Sequence, residues 1–175
     1  MSRSLGVQMK NNEVKKLHEK EIKTLFPEEH LFLSVNASVM IMHELTREIN
    51  HIEKVVLAKA KLRKEFHGLL SLPGIGAILA LTIMLEVGNI NRFKEVGNYS
   101  SYCRCVKSIR TSNGKSKGGG NRKNGNKYLS WAYVEAANIA KRYYPIVKHY
   151  YQKKMSQKNN IVAIKAISHK LARAS

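Results

Sequence analysis

The chain has no aspartate: all 12 of its acidic residues are glutamates. A site built on an aspartate pair, including the usual two-metal nuclease cluster, is therefore excluded from these 175 residues. Cysteine is nearly as scarce. Cys103 and Cys105 form a lone C-x-C with no second pair to complete a zinc site, and they read as two reduced thiols. The seven histidines are scattered, none with H-x-x-x-H spacing on one helix, so no metal site is expected. Long apolar runs are missing too. The most apolar stretch, Leu69 to Ile90, is broken by Pro73, Gly74 and Gly76 and contains Glu86. Its continuous part, Ala77 to Leu85, falls far short of the roughly 20 residues a membrane span needs. The start, MSRSLGVQMK, has no apolar h-region. The expectation is a cytoplasmic protein with no membrane partner.

What is present is positive charge. Lys and Arg number 31, for a formal charge of +19. The charge is uneven: from Val96 onward there are 17 Lys or Arg and a single acid, Glu135. The first 95 residues are nearly balanced, with 14 bases and 11 acids. A basic half of this kind fits a polyanion, most simply nucleic acid. Hydrophobic content of 43% argues against disorder throughout.

The sequence reads as mainly α, with a helical arm over 1–67 and a compact helical domain over 68–175. Asn11 to Phe26 predicts a short polar helix ended by Pro27. Val35, Met42, Ile49 and Val56 then repeat every seven residues, with Ser38, Leu45, Ile52 and Lys59 three positions on. That is an a/d seam. No Pro or Gly interrupts Leu31 to His67, so one helix of about 35 residues is expected. Its stripe calls for a coiled-coil partner, and a homo-oligomer through the arm follows; packing on the second domain is the alternative.

At the junction, Leu72-Pro73-Gly74-Ile75-Gly76 precedes an apolar run to Val87. This fits a helix-hairpin-helix over 69–87. Pro73 stops one helix, Gly74 and Gly76 allow a tight turn, and Ile75 can plug the core between the helices. Backbone N–H groups at the start of the second helix suit a DNA phosphate without sequence reading. A purely structural αα-turn is the alternative. Gly88 is expected to cap the helix.

Residues 103–127 read as a basic, glycine-rich loop. It holds Arg104, Lys107, Arg110, Lys115, Lys117, Arg122, Lys123 and Lys127 and no acid. Such a loop lets backbone amides and cations approach phosphates closely. It is not a Walker A loop: Asn126 and Lys127 follow Gly125 where Lys and Ser/Thr must stand. Three helices follow. Asn124 is the expected cap of the first, Pro145 opens the second, and the third spans Asn159 to Arg173. Tyr143, Tyr144, Tyr150 and Tyr151 are expected in the core, with base stacking as the alternative.

These motifs resemble a known family. Leu72-Pro73-Gly74-Ile75-Gly76 and Glu86-Val87-Gly88-Asn89-Ile90-Asn91-Arg92-Phe93 resemble the opening of the C-terminal domain of insertion-sequence one-ten family transposases. Ser101-Tyr102-Cys103-Arg104-Cys105-Val106 resembles their next helix. Ser112-Asn113-Gly114-Lys115, then Gly120-Asn121-Arg122-Lys123-Asn124-Gly125-Asn126-Lys127-Tyr128-Leu129 with Trp131-Ala132, carries the most specific likeness. So does Asn160-Ile161-Val162-Ala163-Ile164-Lys165-Ala166 with His169-Lys170-Leu171-Ala172-Arg173.

The resemblance implies enzymes that move DNA elements with a structured guide RNA. A resolvase-like acidic domain binds divalent metal there, and a C-terminal serine attacks a DNA phosphate. The matching position is Ser112. Chemistry alone does not choose it over Ser100, Ser101, Ser108, Ser116 or Ser130. Nucleic-acid contacts are expected from Gly74, Ile75, Gly76, Arg110, Lys115, Lys117, Arg122, Lys123 and Lys127. The expected cofactor set for this chain is empty, because the metal would belong to the acidic domain. With only about 30 residues before the arm, the chain is expected to be a truncated C-terminal half, inactive alone and nucleoid-associated when bound to DNA. The alternative is a non-catalytic nucleic-acid-binding remnant that regulates an intact transposase.

Overall fold

A computed structural model describes residues 11–106, 109–119 and 124–175, without the side chains of 11, 12, 109–111 and 116–119. The described chain is mainly helical. It divides into two compact units, Met1–Val56 and Leu57–Ser175.

The first unit holds α1 (Asn11–Val14), α2 (Glu19–Leu25) and most of α3 (Glu29–Ala60). The single helix expected over Asn11 to Phe26 is two short ones. Leu17 turns into a small core with Ile22, Phe26 and Val39, and the Glu21 carboxylate accepts a hydrogen bond from the His18 N–H at 2.9 Å. A buried leucine and a carboxylate at the third helical position restart the helix there. Phe26 ends it ahead of Pro27, as expected.

The helix expected to run unbroken to His67 instead stops at Ala60 and restarts as α4 (Lys64–Leu70). Neither Pro nor Gly marks the break. Phe66 and Leu69 enter the core of the second unit together with Ala60, and the His67 ring meets the Lys61 carbonyl at 2.8 Å. Tertiary burial overrides helix continuity here. On the expected seam, Leu45, Ile49 and Ile52 are 58%, 54% and 58% exposed.

The second unit continues with α5 (Ala77–Val87), a 3₁₀ turn at Ile90–Arg92, and α6 (Val96–Tyr102). Strands β1 (Ile109–Ser112) and β2 (Lys115–Gly119) come next, followed by α7 (Lys127–Tyr143), α8 (Pro145–Gln157) and α9 (Asn160–Ala174). Residues 103–127, expected as one loop, therefore enclose an antiparallel β1–β2 hairpin.

Helix α7 is the hub, packed against α5, α8 and α9. Its cap is Asn126, two residues beyond the expected Asn124; the Asn126 side-chain Oδ1 accepts from Tyr128 N–H and Leu129 N–H. Leu129, Ala132, Tyr133, Ala136, Ala137 and Ala140 are fully buried. Against them lie Leu79, Ala80 and Ile83 of α5, and Ile164, Ile167, Leu171 and Ala172 of α9. Each large aliphatic side chain so buried stabilises by about 1.5–3 kcal/mol. Pro145 opens α8 at its first turn, as the sequence indicated; α9 begins one residue after the expected Asn159, whose side chain caps it through the Val162 N–H. Tyr150 and Tyr151 pack on this core, whereas Tyr143 and Tyr144 are exposed, contrary to expectation. These two residues flank the α7–α8 junction, where the chain turns at the surface.

The turn before α5 is fixed by α7. Gly74 has φ +80°, and a Cβ there would run into the Ala136 carbonyl and the Ala140 nitrogen. Only glycine permits this approach of two backbones. Gly74→Ala should therefore destabilise by about 2 kcal/mol or more, through both φ strain and overlap with α7. A thermal unfolding comparison with the parent checks it; Gly97→Ala, where a Cβ meets nothing within 4 Å, should change little.

Both thiols are buried and free. Burial pushes Cys103 up to about 12 and Cys105 up to about 11 from the ordinary 9.0, the Lys165 charge partly offsetting the effect at Cys105. A thiol that holds its proton more tightly when folded stabilises fully below its unfolded value and loses that contribution as pH rises towards the folded one. The melting temperature should therefore fall as pH is raised above 9.0, over the window that ends near 11 to 12. Replacing both cysteines by alanine should flatten part of that fall in circular-dichroism melts.

Candidate nucleic-acid interface

Two places carry the residues that the sequence singled out. The first is the turn from Ser71 to Gly76, between α4 and α5. Gly74 and Ile75 are buried, so they shape the turn from inside. Gly76 is exposed and stands at the N-cap of α5, and no side chain caps that helix. The first-turn N–H groups of α5 thus have no side-chain acceptor, and they carry the positive end of the helix dipole.

The second place is the basic hairpin. Ser112 pairs with Lys115 in register, joined by the two-residue turn Asn113–Gly114. Both turn residues have positive φ, 50° and 70°, as a type I′ turn requires. Directly opposed residues of an antiparallel pair project to the same face. The exposed Ser112 hydroxyl and Lys115 ammonium therefore share one side of the ribbon tip. A register shift between Ile109 and Thr111 marks a bulge lower down. Arg110 and Lys117 belong to β1 and β2, but their side chains lie outside the described residues, and Arg122 and Lys123 lie outside them altogether. Lys127 is exposed at the start of α7, its Nζ 4.9 Å from the Tyr128 ring centre. The structure thus brings Ser112 and Lys115 together, while Gly74, Ile75 and Gly76 form a separate turn.

The base of this excursion is clasped. Arg104 adopts φ +54° and donates from Nε and Nη2 to the Gly125 carbonyl at 3.1 and 2.8 Å, and from Nε to the Asn124 carbonyl at 3.1 Å. Charged-donor bonds of this kind offset the left-handed backbone, which costs about 1–2 kcal/mol. Gly125 has φ +90°, and a Cβ on it would strike the Tyr102 carbonyl, which accepts from the Asn126 N–H at 2.7 Å. The Asn126 amide donates to Glu86 at 2.6 Å, tying the α7 cap to α5. Arg92 lies over the Phe93 and Tyr102 rings, and hydrogen bonds from Arg92 and Asn126 hold the Tyr102 hydroxyl below its usual range. Lys165 reaches Ser130 Oγ at 3.2 Å and the Arg104 carbonyl at 3.4 Å.

The clasp residues Glu86, Arg104 and Asn126 were missed as site-forming by the sequence reading. Their partners are backbone carbonyls and a residue 40 positions away, which no local pattern shows. The hairpin did have a signal: Asn-Gly between short strands is the strongest local mark of a type I′ turn.

Among the described residues, no three His, Cys, Asp or Glu side chains gather as a metal would require. The resemblance places its divalent metal in a separate acidic domain, and no step is drawn through it here. No described helix is long and apolar enough to cross a membrane.

The clasp makes a measurable difference to stability. Asn126→Ala removes the α7 cap and leaves Glu86 without its amide donor. The loss should be about 1–2 kcal/mol, read as a lower denaturation midpoint. Asn126→Ser should recover the cap but not the Glu86 bond, and should fall between the parent and the alanine variant.

Comparison with known proteins bears on the same segment. No curated protein matches the chain. The Transposase IS116/IS110/IS902 family matches residues 67–152, which span the α4–α5 turn, the basic hairpin and α7. The chain therefore carries a domain of the Transposase IS116/IS110/IS902 family.

Proposed function

We propose that this chain acts in DNA transposition as the DNA-binding, serine-bearing part of an insertion-sequence transposase. The observation that carries the reading is the hairpin tip. Ser112 is exposed, faces Lys115 across a two-residue turn, and belongs to a segment with many cations and no acid. In the reaction the Ser112 Oγ attacks a phosphorus atom of DNA. One Oγ–P bond forms and one P–O bond to a sugar breaks. The hydroxyl proton leaves to a base of the assembled complex, and the departing sugar oxygen takes up a proton. Lys115, with Arg110, Lys117, Arg122 and Lys123, neutralises the phosphate as charge builds on it. Gly76 and the start of α5 dock a second phosphate, with Gly74 and Ile75 shaping that turn, and Lys127 docks another.

In this reading a divalent metal comes from an acidic domain outside these 175 residues. A structured RNA guides the complex, and copies join through the apolar stripe of α3 at Leu45, Ile49 and Ile52. A second reading, a non-catalytic DNA-binding regulator of an intact transposase, draws on one observation. Of the 12 glutamates only Glu135 lies beyond Glu95, so the hairpin segment has no carboxylate of its own to receive the Ser112 proton.

The test mixes the chain with labelled element-end DNA, the element's RNA and magnesium, with and without a separate acidic domain. A covalent protein–DNA band on a denaturing gel is expected when the acidic domain is present. Ser112→Ala should abolish the band while leaving duplex binding within about twofold, because a tip hydroxyl contributes little to phosphate attraction. A band that persists in Ser112→Ala would dismiss the serine. No band under any condition, with binding intact, would favour the regulator.

A further inference from the structure

Near its start, helix α7 presents two large aromatic side chains that its packing does not use. Trp131 is the chain's one tryptophan, and it is 49% exposed; Tyr128 is 51% exposed. Between and beyond them, Leu129, Ala132 and Tyr133 are fully buried, so the helix is anchored and this face is left over. Positions three apart on a helix are neighbours about 5–6 Å apart at Cβ. The two rings therefore stand on one face, a turn apart. A cation borders them: Lys127 Nζ sits 4.9 Å from the Tyr128 ring centre. The acid of this half, Glu135, lies one turn beyond Trp131 and is half-buried.

We infer that Tyr128 and Trp131 form a stacking platform for unpaired DNA bases, with Lys127 taking a flanking phosphate. Aromatic faces interleaved with cations are the arrangement that binds single strands. Stacking on an aromatic face is open to any unpaired base, and duplex DNA, whose base faces are already stacked, cannot use the platform in the same way. Charge argues for a polyanion over an apolar partner: 17 cations and one acid lie from Val96 onward. Strand breakage at Ser112 would supply unpaired bases, so the inference rests on the function proposed above. It adds a site for the opened strand, on the helix that begins immediately after the clasp.

Because Trp131 is the chain's one tryptophan, its fluorescence reports this surface alone. Titration of the full chain with short oligothymidylate should quench and shift the emission, and Trp131 should become shielded from acrylamide. Tyr128→Leu should weaken single-strand affinity about tenfold, and Trp131→Leu by a similar factor in fluorescence anisotropy, with duplex affinity within about twofold. Trp131→Phe should restore most of the loss.

Emission unchanged by saturating single strand, with duplex binding intact, would overturn the platform and leave the function standing. Failure to bind either form of DNA would overturn both. Equal or stronger quenching by oligouridylate would overturn the assignment to DNA. Emission that depends on protein concentration without nucleic acid would assign the face to a second copy of the chain. If the leucine variants do not fold, the titration of the unmodified chain still decides.

Discussion

The second unit depends on the alanine face of α7. Ala132, Ala136, Ala137 and Ala140 are fully buried, and methyl side chains let neighbouring elements approach the helix backbone. The α4–α5 turn comes closest, with Gly74 lying where any Cβ would overlap the α7 main chain. Larger residues on either side would push the turn outward and take Ile75 from the core. The geometry of one candidate phosphate site is therefore set by small residues more than 60 positions away in sequence. Tyr133 is the exception on this face, and it is accommodated because its hydroxyl has partners. It meets the Tyr99 hydroxyl at 2.6 Å and the Ser175 hydroxyl at 2.6 Å, so a large polar-tipped ring can be buried without an orphaned group.

The same helix sets the second site through its first residue. Asn126 caps α7 with its side-chain oxygen and binds Glu86 with its amide nitrogen, so one side chain closes a helix end and holds it to α5. Arg104 then ties the other side of the excursion to Asn124 and Gly125. A β-hairpin of two short strands is marginal alone in water. Here both ends of its parent segment are fixed to packed helices. That reduces the entropy of the segment and gives Ser112 and Lys115 a defined origin. Arg104 illustrates the limit of counting cations. The sequence places it in a polyanion-binding run, whereas its guanidinium is engaged with backbone carbonyls and serves the scaffold.

Much of the helical frame was legible in local chemistry. Gly88, Pro145 and Asn159 mark ends and starts for reasons confined to a few residues: a positive φ, a fixed φ with no N–H to lose, and a capping oxygen. The break at 61–63 was not legible, because no residue there opposes a helix. It arises from the burial of Phe66 and Leu69, which depends on what they pack against. The β-hairpin was legible but was outweighed by composition: glycine and lysine suggested a loop, while Asn113–Gly114 carried the turn type that pairs strands. The clasp could not be read at all, since Glu86 and Asn126 gain their meaning from proximity. For Ser112, the residues identify a hydroxyl and a nearby cation; the choice among the serines came from resemblance.

The distribution of charge divides the chemistry. The acids are concentrated before Val96, in the half that contains the arm, and nearly all the charges of the other half are cations. A surface of that kind attracts DNA, steers it and stabilises negative charge on phosphorus. It is poorly suited to removing a proton from serine, because neighbouring cations favour loss of the proton but offer no oxygen to receive it. Binding and proton transfer are therefore separable here. Under the proposed function, the segment holds a phosphate at Ser112, and the group that takes the hydroxyl proton comes from elsewhere in the assembled complex. In that reading the serine stays idle until the complex is assembled, a useful property where premature strand breakage would be harmful.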